Sequence, residues 1–263
     1  MRFKPAFLTR ATPAALVLVL LSGCGEGQVV TGSPLGREPE APTTYLAPPQ
    51  AQALLASPEG MRLAGQAAPG ARVRLATPEG EVRLTEADSR GAWQLDLGPS
   101  RVPQIFGLSM TLAERTVQAE GYQLVLPDGR LVLLRAGTGA VVVQGTEGNR
   151  IVAFDFDEEG GAVISGLAPA EAILSVRIDG RTVSTSGRVD GAGRFSLPFG
   201  APVPPGPHQI RVLGESLDLR AEVDATPARP PASGAFRATS TDFGLRIDWL
   251  TPGGGLQSTL LVK

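Results

Sequence analysis

The sequence predicts an all-β protein built from two tandem sandwich modules, and three observations predict it. Apolar and polar residues alternate with a period of two in many short runs, such as Val73-Arg-Leu75, Trp93-Gln-Leu95-Asp-Leu97 and Leu174-Ser-Val176-Arg-Ile178. That period buries one face of a strand and leaves the other wet. Turn residues (Pro78-Glu-Gly80, Asp88-Ser-Arg-Gly91, Asp179-Gly180, Asp190-Gly191) cut the runs at short intervals, as short antiparallel strands require. Finally, the second half of the chain repeats the first.

The N-terminus stands apart from this pattern. Arg2, Lys4 and Arg10 precede the apolar run Ala14–Leu21, and the small residues Ser22 and Gly23 follow. These three parts make a secretory signal, and the apolar run falls short of the roughly 20 residues that span a bilayer. Cys24, the single cysteine of the chain, comes next. It has no internal disulfide partner, which leaves lipid attachment as the better explanation of its place. Leu21-Ser22-Gly23-Cys24 resembles the lipobox of bacterial lipoproteins at all its positions. The resemblance implies that residues 1–23 are removed, that the Cys24 thiol receives diacylglycerol, and that its freed amine is acylated. Several acyl chains anchor where one alone is marginal. Gly25 follows instead of Asp, which by the same resemblance favours the outer membrane. The plainer alternative is a secreted protein with a chance cysteine at its cleavage site.

Residues 24–50 read as a flexible tether. Gly25, Gly27, Gly32, Pro34, Gly36, Pro39, Pro42, Pro48 and Pro49 break any period, and so few apolar residues cannot offset the entropy of ordering. A partly ordered strand around Thr43–Leu46 is the alternative.

Two modules are expected beyond the tether, at residues 51–146 and 147–263. The first copy, Met61-Arg-Leu-Ala-Gly65-Gln-Ala-Ala-Pro69-Gly-Ala-Arg-Val-Arg-Leu75, is matched by Ala162-Val-Ile-Ser-Gly166-Leu-Ala-Pro-Ala-Glu-Ala-Ile-Leu-Ser-Val176. Asp88, Gly91 and Trp93 then recur in order as Asp190, Gly193 and Phe195. The copies resemble bacterial immunoglobulin-like modules, the first through Gly65, Pro69, Gly70, Ala71, Val73, Asp88, Gly91 and Trp93. The second matches more loosely, with Pro169 displaced and Glu171 in place of a glycine. Pro205-Gly206-Pro207-His208-Gln-Ile-Arg-Val212 resembles a further strand of such modules. The resemblance implies a sandwich and says little of a ligand.

Each copy also carries a C-terminal hairpin. Gly121–Leu126 and Arg130–Leu134 flank Pro127-Asp128-Gly129, and Gly244–Trp249 and Gln257–Val262 flank Thr251–Gly255. Pro followed by Asp-Gly between apolar runs is a hairpin signal. These hairpins are expected to extend the sandwich or to pack between the modules.

The composition offers little chemistry. Formal net charge is −2, and loss of the signal would make the remainder more acidic, so no basic surface for nucleic acid survives. The scattered arginines Arg72, Arg74, Arg83, Arg177, Arg211, Arg220 and Arg246 suit a solvated sheet face. The single histidine, His208, sits in an alternating strand without a nucleophile or orienting partner in pattern, and no Gly-x-Ser-x-Gly elbow occurs. The glycine clusters Gly137-Thr-Gly139 and Gly253–Gly255 do not open a helix after a strand, so turns explain them better than a phosphate cradle.

Asp155-Phe-Asp157-Glu158-Glu159 is the densest acidic run. In a strand Asp155, Asp157 and Glu159 would share a face, which makes them weak candidates for calcium; a solvated edge that discourages strand pairing is the other reading. Trp93 and Phe195, at matching places in the repeat, read as core plugs. Tyr122 and Trp249 in the hairpins are the candidates for an exposed contact surface.

No catalytic residue and no cofactor is expected. The sequence points to a non-catalytic cell-envelope lipoprotein held in the bilayer by acylated Cys24, with a structural, adhesive or protein-binding role toward an envelope protein or glycan. An accessory subunit of a secretion or polysaccharide-export assembly, and a carbohydrate- or calcium-binding module, are the alternatives.

Overall fold

The computed structural model describes residues 45–57 and 60–263, without the side chains of residues 184–186. The signal, Cys24 and most of the tether lie outside the described residues. Tyr45–Pro49 carry no strand, and Tyr45 is exposed.

Nineteen strands follow. The first half contributes β1 (Gln50–Ser57), β2 (Gly60–Gln66), β3 (Arg72–Ala76), β4 (Val82–Glu86), β5 (Ala92–Gly98), β6 (Gln104–Leu112), β7 (Arg115–Val125), β8 (Leu131–Leu134) and β9 (Val141–Gln144). The second half contributes β10 (Arg150–Asp157), β11 (Ala162–Leu167), β12 (Ile173–Ile178), β13 (Arg181–Arg188), β14 (Arg194–Pro198), β15 (Pro207–Gly214) and β16 (Leu217–Asp224). It ends with β17 (Phe236–Thr241), β18 (Gly244–Leu250) and β19 (Leu256–Val262).

They form four open antiparallel sheets. Sheet A has the order β1-β2-β5, sheet B β4-β3-β6-β7-β8-β9, sheet C β14-β11-β10-β19-β18-β17, and sheet D β13-β12-β15-β16. The order β1-β2-β5 against β4-β3-β6-β7 thus recurs as β10-β11-β14 against β13-β12-β15-β16.

The repetition extends to single hydrogen bonds. Asp88 Oδ1 accepts from the backbone N–H of Arg90 and Ala92, and Asp190 Oδ1 accepts from those of Ala192 and Arg194. Each acidic side chain closes the turn that leads into an aromatic plug, Trp93 or Phe195, both almost wholly buried. Opposite the plugs stand Gly65 and Gly166, their direct cross-strand partners. A Cβ on Gly65 would lie 1.9 Å from the Gln50 carbonyl oxygen and 2.6 Å from the Trp93 ring. On Gly166 it would lie 2.2 Å from the Arg150 carbonyl oxygen and 2.7 Å from the Phe195 ring. Glycine is required here because backbone and ring fill the space a side chain would take.

Three cores hold the sheets. Leu63, Val73, Leu75, Trp93, Phe106 and Met110 fill the space between sheets A and B. Phe154, Ile164, Val176, Phe195, Ile210 and Val212 fill that between C and D. A third core, between B and C, gathers Ile105, Leu124, Val132, Leu134, Ala153, Ile247, Trp249 and Leu261. The hairpins therefore do both things expected of them: they widen sheets B and C, and their added faces pack on each other. Strand β19 also enters the middle of sheet C, bonded to β10 on one side and β18 on the other. With a core on each side, β10 is buried from Ile151 to Phe156 and shows no alternation.

Gly65→Ala and Gly166→Ala should each lower stability by about 1–3 kcal/mol, the usual cost of overpacking. Gly191→Ala, where an added Cβ meets nothing within 4 Å, should be close to neutral. Urea denaturation of the three variants checks this.

A candidate interaction groove between the two halves

The link between the halves, Arg135–Ala140, is fixed by a buried polar node. Asp155 on β10 accepts from the Ala140 backbone N–H at 2.8 Å, from Gln257 Nε2 at 3.1 Å and from the Thr259 hydroxyl at 2.5 Å. Thr259 Oγ1 in turn accepts from the Trp249 indole N–H at 3.1 Å. Gln257 Oε1 accepts from the Gly137 N–H, and its Nε2 also donates to the Arg135 carbonyl. Burial pushes the Asp155 carboxyl up to about 6, against the pull of its three donors and of Arg135. Gly139, at φ +86°, lets the link lie against sheet C, since a Cβ there would come within 2.8 Å of Ser196 and Val163. Ser196 Oγ donates to the Thr138 carbonyl.

This arrangement corrects several sequence-based expectations. Asp155 does not stand on a solvated edge but near the centre of sheet C, because β19 pairs with β10. Asp155, Asp157 and Glu159 do not share a strand face. The strand ends at Asp157, whose Oδ1 accepts from the Glu159 and Gly161 N–H groups and so closes the turn that carries exposed Glu159 away. Trp249 is not an exposed contact residue. It is fully buried in the middle core, and half-buried Tyr122 meets it edge-on with ring centroids 5.7 Å apart. Of the arginines assigned to a solvated face, Arg246 departs. Its guanidinium lies 5.0 Å from the Phe156 ring centre and donates from Nε to Asp248 Oδ1 at 2.7 Å. Asp248, itself buried, also binds Arg237 and Ser258. These donors outweigh burial and hold its carboxyl below the usual range.

His208 is a strand residue with both ring nitrogens engaged. Nδ1 lies 2.7 Å from Asp179 Oδ2 and Nε2 lies 2.7 Å from the Pro204 carbonyl oxygen. Both partners accept, so the ring is best satisfied as the two-donor cation. Its pKa is raised because Asp179 and Pro204 outweigh the opposing effect of burial. Among the described residues no group of three or more His, Cys, Asp or Glu could hold a metal ion.

A concavity lies between the halves. It is a groove of about 690 Å³, walled by Pro48–Gln52 on one side and by Arg188, Asp190 and Arg194–Ser196 on the other. Gln123, Leu133 and Val141 of sheet B form its floor, with Glu120 and Arg135 at the rim. Sheet A has three strands and sheet B six, so the added strands β8 and β9 run past the cover that sheet A provides. The sequence marks Asp190 and Phe195, but as a turn residue and a core plug; it does not mark the groove, whose lining comes from strands that meet only when the halves pack.

No protein-family model matches the chain, and no curated protein matches it in sequence. Two solved structures are similar in part. One is the BSP domain of a biofilm associated protein, at 12% identity and a TM-score of 0.24, over 71% of this chain and 30% of that one. The chain thus spans under a third of its length. The other is the central fibronectin-III array of a RIM-binding protein, at 12% identity and a TM-score of 0.26, over 81% of this chain and 88% of that one.

Thr259→Val should destabilise the protein by about 1–3 kcal/mol, since it leaves the Trp249 N–H unpaired and removes a donor from Asp155. The loss should be larger above pH 6, where Asp155 is ionised, than at pH 4. Asp155 holds its proton in the folded state to about pH 6, well above the ordinary aspartate value of 3.8 that holds in the unfolded chain. Its contribution is therefore full below the unfolded value and is lost as pH rises from about 4 to about 6. His208, with its pKa raised, contributes below 6.5 and loses that contribution as pH rises through the folded value. Stability measured in urea should thus fall from about pH 5, above which aspartates held below the usual range such as Asp248 are ionised in both states, toward pH 8, and Asp155→Asn should flatten the lower part of that slope.

Proposed function

We propose that the chain is a non-catalytic cell-envelope lipoprotein that displays two immunoglobulin-like sandwich modules for binding a protein or surface partner. In this reading residues 1–23 are the signal, acylated Cys24 anchors residues 24–50 as a tether in the outer membrane, and residues 51–146 and 147–263 are the modules. The strand order of sheets A and B recurring in C and D supports the module assignment.

The observation that carries the interaction role is the groove, a concavity of about 690 Å³ built from both halves and lined in part by charged and amide side chains. Pockets between packed units are where ligands and partners most often sit. The polar side chains that the sequence offered for chemistry are engaged in holding the fold: Asp155 by three donors, Asp157 by its turn, His208 by Asp179 and Pro204. A calcium site at Asp155 would have to displace those donors.

The anchor is tested by Cys24→Ser in detergent phase separation of the expressed precursor. The wild type should enter the detergent phase and the variant the aqueous phase. Equal partitioning of both into detergent would overturn the lipid anchor while leaving the modules untouched.

A further inference from the structure

Three of the four sheets end at the groove, each on a strand bonded to one neighbour only. β1 pairs with β2 alone, β9 with β8 alone, and β14 with β11 alone. Gln50–Gln52 of β1, Val141 and Val143 of β9, and Arg194–Ser196 of β14 all line it. An unpaired strand edge carries a row of backbone donors and acceptors open to a further strand.

One position shows how the β1 edge accepts a partner. Gln144, at the end of β9, reaches across to Leu54, accepting from its N–H at 2.8 Å and donating to its carbonyl at 2.8 Å. That pair of bonds copies what a neighbouring strand would make. It occupies the edge at Leu54 and leaves Gln50–Gln52, inside the groove, without an equivalent.

The floor supplies an independent observation. Gln123 is only 3% exposed and lines the groove, yet its side-chain amide makes no hydrogen bond to any described residue. Its cross-strand partner on β8 is Leu133, which also lines the groove, so both side chains stand on the groove's side of sheet B. A largely buried amide with no protein partner is available to pair with a polar group of an occupant.

The chemistry of the walls narrows the occupant. Three arginines (Arg135, Arg188, Arg194) face two acids (Glu120, Asp190), which favours an occupant with carboxylates. Each arginine now has an acidic partner, Glu171 for Arg188, Asp190 for Arg194 and Glu120 for Arg135 at 3.7 Å, and these are pairs with exposed carboxylates, of little strength, that exchange readily; Arg135 also donates to the Gly139 and Thr138 carbonyls. A sugar ring would want an aromatic platform, and the aromatic side chain that lines the groove, Phe195, is buried as a core plug.

We propose that the groove captures an extended, acidic polypeptide segment of another protein. The segment adds as a strand to the open edge of β1 at Gln50–Gln52. Its backbone supplies the ladder, one of its polar groups meets the Gln123 amide, and its carboxylates meet Arg135, Arg188 and Arg194. Main-chain pairing gives affinity and the alternate side chains give selectivity. The proposal rests on the reading of the chain as an interaction module and names the partner class and the site.

The test uses the full-length chain in detergent micelles and fluorescein-labelled peptides of alternating Thr and a variable residue, which is Glu, Lys or Ser. A fourth peptide is the Glu version with alternate backbone nitrogens methylated. Anisotropy titrations should show the Glu peptide binding at least about tenfold tighter than the Lys peptide, and methylation should weaken it about tenfold, as loss of main-chain and charge-assisted bonds implies. Gln123→Leu should weaken it about fivefold, and hydrogen exchange should slow at residues 50–52 on binding. Equal binding of Glu and Lys peptides, indifference to methylation, no binding by any peptide, or protection elsewhere would each overturn the proposal. So would a polyuronate that displaces the Glu peptide and is itself insensitive to Gln123→Leu. A partner whose binding survives both Gln123→Leu and Arg194→Glu would remove the groove and leave the module reading standing.

Discussion

The fold depends on the packing of sheet B against sheet C. A sandwich ordinarily buries one face of each sheet and leaves the other to water. Here the two inner sheets are covered on both faces, and the middle core of Trp249, Leu124, Leu134 and Leu261 joins what would otherwise be two separate units. Each fully buried side chain of this kind contributes about 1.5–3 kcal/mol of transfer free energy before entropy is counted. The link Arg135–Ala140 enters this packed surface only at its end: residues 136–138 are exposed, whereas Gly139 and Ala140 are buried and need protein partners for their backbone groups. Asp155 accepts from the Ala140 N–H, Gln257 accepts from the Gly137 N–H and donates to the Arg135 carbonyl, and Thr259 holds the Asp155 side chain in place.

Much of this was legible in the sequence. The recurrence of Gly65, Asp88 and Trp93 as Gly166, Asp190 and Phe195 marks structural duties that repeat bond for bond. Both hairpin turns form at the glycines and prolines that signal them. The middle core was less legible, although it left a trace. Ile151-Val-Ala-Phe-Asp-Phe156 and Leu131-Val-Leu-Leu134 lack the alternation of the other strands, which is the mark of burial on both faces. Trp249 shares a strand face with Leu245 and Ile247, a stripe that shows an apolar face but not what covers it. The groove was not legible as a groove: Asp190 and Phe195 stand out for their structural duties, and the rest of its lining comes from segments distant in sequence.

The treatment of the other sheet edges sets the groove in context. At β5 the Asp96 carbonyl, on the rim of sheet A, is capped by Arg83 Nη1 at 2.8 Å, which ties sheet B to sheet A there. At the second sandwich the Gly200 N–H bonds the Val183 carbonyl across the gap between sheets C and D. Side chains and turns thus close the rims where the paired sheets of one half approach each other. Where the two halves approach, Ser196 of β14 bonds the Thr138 carbonyl of the link, and the groove lies beside that contact.

The place of β19 has a consequence for the order in which the chain can be made. Asp155 and Thr259, bonded to each other, are 104 residues apart. The strand between β10 and β18 follows both of them in the chain, and until it is in place sheet C is two ribbons with apolar edges exposed. Contacts this distant in sequence form slowly, because closing the loop precedes any reward. The second half of the chain therefore stays unlocked until that strand is in place. It becomes rigid as a unit only when residues 256–262 are free to slot into place.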